Sequence, residues 1–333
     1  METRPLGDSG LTVTPLGLGL AALGRPAYIT LGHAEDLARR YDVAAMERHA
    51  HAVLDAAWSA GVRYFDAARS YGRAEDFLGS WLRARGIAPN ACTVGSKWGY
   101  IYTGGWRVDA EVHEVKDHTL LTLRRQFAES WERLDGYLDL YQIHSATEDS
   151  GVLDRAEVLD ELARLKAGGH VRAIGLTLSG PDSARTLERA SAIERDGQPL
   201  FDTVQATWNL LEPSLGPLLA HVRALGMGVL VKEALANGRL TPRSTAPDFA
   251  ANRAVLEREA ARLGCTIDQL ALAAVLEQPW ADCVLSGAAT VEQLRSNVGA
   301  LQVRLDAAAR AALATLAEPP ARYWATRAAL RWQ

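Results

Sequence analysis

The chain has 333 residues, 48% of them apolar, with 36 basic against 40 acidic side chains and a formal net charge of −4. That length buries a substantial core without a disulfide or metal staple, and the apolar content excludes a largely disordered chain. The mild acidity argues against nucleic acid as a partner, because its binders carry a basic footprint. Cys92, Cys265 and Cys283 are odd in number and widely spaced, so neither an oxidised framework nor a metal-ligand pair is expected. No signal-peptide pattern opens the sequence and no apolar run approaches the ~18 residues of a membrane span, so the expected setting is cytoplasmic, with no membrane partner.

Taken in chain order, residues 3–14 place Gly-Asp-Ser-Gly between two short β-like runs, a hairpin signal suited to plugging the bottom of a barrel. Eight short apolar runs then recur at Pro15–Leu20, Val62–Asp66, Cys92–Lys97, Leu138–His144, Val171–Leu176, Phe201–Thr207, Met227–Lys232 and Asp282–Ser286. Amphipathic stretches lie between them, among them 45–60, 119–134 and 153–167. Strands alternating with helices predict an α/β fold of parallel β/α units, and eight is the number that closes a (β/α)8 TIM barrel. Gly17-Leu-Gly19-Leu-Ala-Ala22 matches a dinucleotide fingerprint, yet Gly24-Arg-Pro26 follows where that motif needs a helix. These small residues read instead as a barrel strand that a ligand or a neighbouring backbone approaches closely. Residues 24–44 form a polar insertion and 98–118 a long aromatic loop; from about Asp306 one helix is expected, then Pro319-Pro320 and an aromatic end. No linker divides the chain, so one domain is expected over 1–333, with its core at about 3–302 and a C-terminal helical extension over 303–333.

Active sites of such barrels lie at the C-terminal ends of the strands. The second run ends at Asp66, with Tyr71 five residues on; the third ends at Lys97 and the fourth at His144. Taken singly, Asp66 reads as a helix cap, Tyr71 as a half-buried aromatic and His144 as a core histidine. Lys97 resists such a reading. It closes an apolar strand in a chain with only four lysines (Lys97, Lys116, Lys166, Lys232) among its 36 basic residues. Together the four define a general acid aimed at a carbonyl oxygen: a cation lowers the proton affinity of a neighbouring phenol, a carboxylate keeps that cation charged, and an imidazole orients the substrate.

The segments LGDSGLTVTPLGLG, YFDAARSYG, GSKWG, LDLYQIH, AIGLT, VQATWN and SGAATVEQLRSN run in order from about residue 3 to 302. In these the chain resembles the aldo-keto reductase superfamily. The resemblance implies a metal-free barrel, monomeric or a simple homo-oligomer, that reduces an aldehyde or ketone to an alcohol with NADP(H), or less often NAD(H). By it Tyr71 is the general acid, tuned by Lys97 and Asp66, with His144 positioning the substrate. It carries Gly19, Thr177, Gln205, Ser286, Gly287, Thr290, Gln293 and Asn297 onto the cofactor, although Leu178 stands where the family has an asparagine. The basic pair that other branches place on the 2′-phosphate is missing. Lys232 occupies the place of an aromatic under the nicotinamide ring; its stem is expected on that ring with the ammonium at Glu233, or else it turns aside and Trp208 covers the ring. The expected substrate walls are Trp98, Tyr100, Tyr102 and Trp106, the 24–44 insertion, and Trp324. Rival readings are a cofactor-binding regulatory or sensor barrel with low turnover, and a lyase that keeps its nicotinamide bound.

Overall fold

The computed structural model describes all 333 residues. Eight parallel strands close into a barrel in chain order: β1 (Leu16–Gly19), β2 (Tyr64–Asp66), β3 (Thr93–Trp98), β4 (Leu138–Ala146), β5 (Ala173–Leu178), β6 (Thr203–Thr207), β7 (Gly228–Lys232) and β8 (Cys283–Ser286). β8 pairs back onto β1 with Ser286 opposite Leu18, so no strand edge is left open. Each strand lies inside one of the eight apolar runs or overlaps it closely, as fully buried parallel strands require. The (β/α)8 expectation therefore holds.

Side chains alternate along each strand, so one residue set fills the barrel and the other meets the helices outside. Gly17 belongs to the inner set. A Cβ there would stand 2.8 Å from Cys283 Sγ and 2.9 Å from Tyr64 Cδ1, so the glycine of the apparent fingerprint makes room for its barrel neighbours. The Arg4–Pro5/Thr12–Val13 hairpin forms as expected. Its Leu6, Leu11 and Val13 pack on Tyr64, Leu140, Ala173, Leu230, Cys283 and Leu285, closing the lower end of the barrel. The larger core lies outside, between strands and helices such as Val43–Ser59, whose Met46, Ala50, Val53, Leu54 and Ala57 face inward at helical spacing. Asp42 starts that helix by accepting a hydrogen bond from the Ala45 N–H at 2.8 Å.

Two peripheral segments differ from expectation. Within the 98–118 loop, Tyr100–Tyr102 pairs antiparallel with Glu114–Lys116 to form a second hairpin over the barrel mouth. In the tail, Ala307–Ala314 is followed by a second helix, Pro320–Ala328, rather than by a break. Proline sits comfortably in the first turn, where backbone N–H groups have no helical partner to lose. No helix is long and apolar enough to cross a membrane.

Candidate active site

At the upper end of β2 and β3, Lys97 and Asp66 form an ion pair within the barrel, exposed by only 1% and 2%. The Lys97 Nζ donates to Asp66 Oδ2 and, at 2.8 Å, to the Ala67 carbonyl. Asp66 Oδ1 accepts from Gln205 Nε2 at 2.9 Å, Tyr64 Oη at 3.1 Å and Gln142 Nε2 at 3.4 Å. A buried pair survives only when its remaining lone pairs are satisfied in this way. Burial pulls the proton affinity of Lys97 below its ordinary value, and Asp66 opposes that loss.

Tyr71 lies in the turn between β2 and the helix Ala74–Ala84, its N–H donating to the Ala68 carbonyl at 3.0 Å. The 24–44 insertion packs on this turn through Gly24, where a Cβ would stand 2.3 Å from the Tyr71 carbonyl oxygen. Lys97 Nζ is 4.7 Å from the centre of the Tyr71 ring, and His144 meets that ring edge-on with centres 5.4 Å apart. Asp66, Lys97 and His144 from the strand ends and Tyr71 from the turn thus meet at one point. The sign of the phenol's shift differs from expectation, however. Burial first and Asp66 second hold Tyr71 well above the ordinary value, with Arg25 opposing them. Desolvation decides the sign, and the Asp66 carboxylate, although bound to Lys97, adds to it. His144 is pushed well below its ordinary value by burial, then by Lys97 and Arg25, and is therefore neutral.

These groups open onto a cleft of about 570 Å³ that runs across the barrel mouth. Gly19, Gln205, Lys232, Ser286, Gly287, Gln293 and Asn297 line it. Thr177 and Thr290 do not. Thr177 lies fully buried beneath Ser145, accepting from its N–H at 2.8 Å, and Thr290 caps the helix Val291–Gly299. Of the expected aromatic walls only Tyr100 reaches the cleft. Trp98 follows inward-facing Lys97, so strand alternation turns it outward onto His118, with ring centres 5.5 Å apart. Trp106 donates to the Tyr41 carbonyl at 2.5 Å and, with Tyr102, borders a separate groove. Trp324 packs on Tyr323 with ring centres 5.5 Å apart, and it is Trp332, further along the tail, that lines the cleft. Trp208 is also turned away, stacked edge-on against Trp280. Lys232 points into the cleft, with Nζ 2.9 Å from Thr207 Oγ1 and 3.7 Å from Glu233 Oε1. Burial lowers its pKa to about 8.

Glu233, expected beside the Lys232 ammonium, also lines the cleft, and residues not singled out in the sequence complete the walls: Arg25 and Tyr28 from the insertion, Glu114 from the second hairpin, and Arg327. Gln333 is tied to Tyr28 by two backbone hydrogen bonds of 3.1 Å, which bring the tail across the mouth. A nicotinamide dinucleotide fits the far end of the cleft. Gly287 leaves open space where a side chain would stand, and at Gly19 the nearest atom to an added Cβ is the Ser286 oxygen, 3.7 Å away. Beside them, Ser286 Oγ accepts from Asn297 Nδ2 at 2.8 Å, and the helix Val291–Gly299 directs its N-terminus toward the same end.

The model of the Aldo/keto reductase family matches residues 15–318, and the chain belongs to that family of carbonyl-reducing oxidoreductases. The chain is 29% identical to an NADH-specific methylglyoxal reductase of Escherichia coli, the match covering 96% of this chain and 99% of the relative. A pyridoxal 4-dehydrogenase of Microbacterium luteolum is 31% identical over 53% of this chain and 55% of its own. The solved structure of an aldo-keto reductase from Bacillus halodurans superposes with a TM-score of 0.73 at 23% identity, covering 96% of this chain and 97% of that one, which establishes the fold.

Proposed function

We propose that the chain reduces an aldehyde or ketone to the alcohol with a nicotinamide cofactor, Tyr71 supplying the proton. The observation that carries this reading is the meeting of Tyr71, the Lys97–Asp66 pair and His144 at the floor of one cleft. The bound reduced cofactor supplies the hydride; Gly19, Gln205, Lys232, Ser286, Gly287, Gln293 and Asn297 are the residues that would hold it. Burial keeps the Tyr71 phenol protonated until a carbonyl oxygen gaining charge lies against it. Neutral His144 orients that oxygen without adding a second charge, and the Lys97–Asp66 pair forms the floor beneath the ring.

The sequence resemblance favours NADP(H), but the charges at the far end of the cleft support NAD(H). Arg243, the nearest cation from the loop after β7, is paired with Asp36, which also accepts from Gln293 Nε2 at 2.9 Å, while Asp268 and Glu292 line the same end. A 2′-phosphate there would meet carboxylates rather than a free cation. Titration by protein fluorescence is expected to show tighter binding of NADH than of NADPH. Turnover of an aldehyde panel that includes methylglyoxal and pyridoxal, the compounds named in the two relatives, then tests the chemistry. Tyr71→Phe should bind the cofactor as before and lose carbonyl reduction by about a hundredfold or more, the scale of general acid catalysis. Full activity in that variant would overturn the mechanism.

A further inference from the structure

Arg25 lines the cleft but has no part in the chemistry assigned so far. It comes from the polar insertion, yet its side chain is only 3% exposed. Its guanidinium carbon lies 5.1 Å from the centre of the Tyr71 ring, 5.2 Å from that of Tyr28 and 4.6 Å from that of Trp332. Nη1 donates to Glu114 Oε2 at 2.8 Å and to the carbonyl of Ser70, the residue before Tyr71, at 3.2 Å, while Nε is buried without a partner. Trp332 stacks on His113 beside Glu114, with ring centres 4.2 Å apart and planes 15° apart, so the tail and the second hairpin meet on this one cation. A charge buried with an unsatisfied donor is costly to keep for packing alone.

We propose that Arg25 is a positioning residue that acts through Tyr71, a role that rests on the reading of function above: clamped over the ring by Glu114 and Trp332, it supplies the net positive charge that favours the phenolate. Lys97 does not supply that charge by itself, because Asp66 sits on its ammonium. The remaining ionisable groups facing Tyr71 do not supply it either. From the second hairpin come Glu114 and Tyr100, from β4 neutral His144 and from the insertion Tyr28; β7 and the tail add the Lys232–Glu233–Arg327 cluster, two cations on one carboxylate, of which Glu233, opposing the phenolate, is the member that bears on Tyr71. Glu114 offsets Arg25 only in part, being 22% exposed and so better screened by water than its partner. Burial and Asp66 push the phenol's proton affinity up, and Arg25 is the cation that works against them.

The test reads Tyr71 directly. The chain has nine tyrosines, and 3-fluorotyrosine labelling gives each a fluorine resonance, with Tyr71 assigned from its loss in Tyr71→Phe. Arg25→Met, which keeps the stem without the charge, should move the Tyr71 titration midpoint up by about one pH unit or more, a tenfold smaller phenolate fraction at a given pH. Arg25→Lys should restore most of that shift. Glu114→Gln should move the midpoint the other way, and it carries the test alone if circular dichroism shows Arg25→Met unfolded. The acid limb of kcat for alcohol oxidation should follow the same order, with cofactor affinity unchanged. Equal midpoints across the variants overturn the role of Arg25, as does an acid limb of kcat that stays in place in all of them. A wild type that turns over no carbonyl or alcohol sinks the reading of function, whereas the resonance still decides what Arg25 does to the phenol.

Discussion

Arg327 reaches from the tail helix into the cleft and grips Glu233, with Nε 3.0 Å from Oε1 and 3.1 Å from Oε2, and Nη2 2.5 Å from Oε1. Glu233 is only 8% exposed, so burial by itself would raise its pKa; Arg327, with help from Lys232, instead holds it from 4.5 down to about 2. A shift of about 2.5 units at 1.36 kcal/mol each corresponds to roughly 3 kcal/mol, within the range for breaking a buried pair. The folded-state value is depressed, so this stabilisation is fully present above pH 4.5 and is lost as the pH falls through about 2. Arg327→Met keeps an apolar stem and removes the charged head, whose central carbon lies 5.7 Å from the centre of the Trp324 ring. Urea unfolding at pH 7 should show the variant less stable by roughly 3 kcal/mol, and at pH 3 under half of that difference should remain. A loss below about 1 kcal/mol at pH 7, or the same loss at both pH values, would refute the assignment of the stability to this pair.

Lys232 is charged below about pH 8, so it should disfavour the positively charged oxidised cofactor relative to the reduced one, a bias that fades as the pH rises through that value. Lys232→Tyr should remove both the bias and its pH dependence; a ratio of oxidised to reduced affinity that stays the same in both proteins sinks the argument. Gly17→Ala should cost about 1–3 kcal/mol of stability, because its Cβ has no room beside Cys283 and Tyr64. An unchanged urea midpoint would show that the barrel interior yields more easily than its geometry implies.

Much of the site was readable because barrel chemistry is periodic. An apolar run ending in a polar residue marks a strand whose last inward side chain reaches the mouth, and Asp66, Lys97 and His144 were found by that rule. The same rule, carried one residue further, would have excluded Trp98, since neighbours along a strand face opposite ways. Gly24-Arg25 offered a weaker signal: a glycine allowing close approach, followed by a charge in an otherwise polar insertion.

The eight strands, their order and the polar ends that meet at the mouth follow from the sequence alone, because local periodicity and parallel β/α alternation leave few other ways to bury these runs. The walls and the charge balance were decided only by tertiary structure. Arg25, Glu114, Glu233 and the tail residues Arg327 and Trp332 come from four distant parts of the chain, and the insertion, the second hairpin and the tail meet over the end of β7 by packing that no repeat encodes. The proton affinity of Tyr71 is of the same kind. Which cation governs it depends on where Asp66 places its charge, and that is a property of distances rather than of residue types.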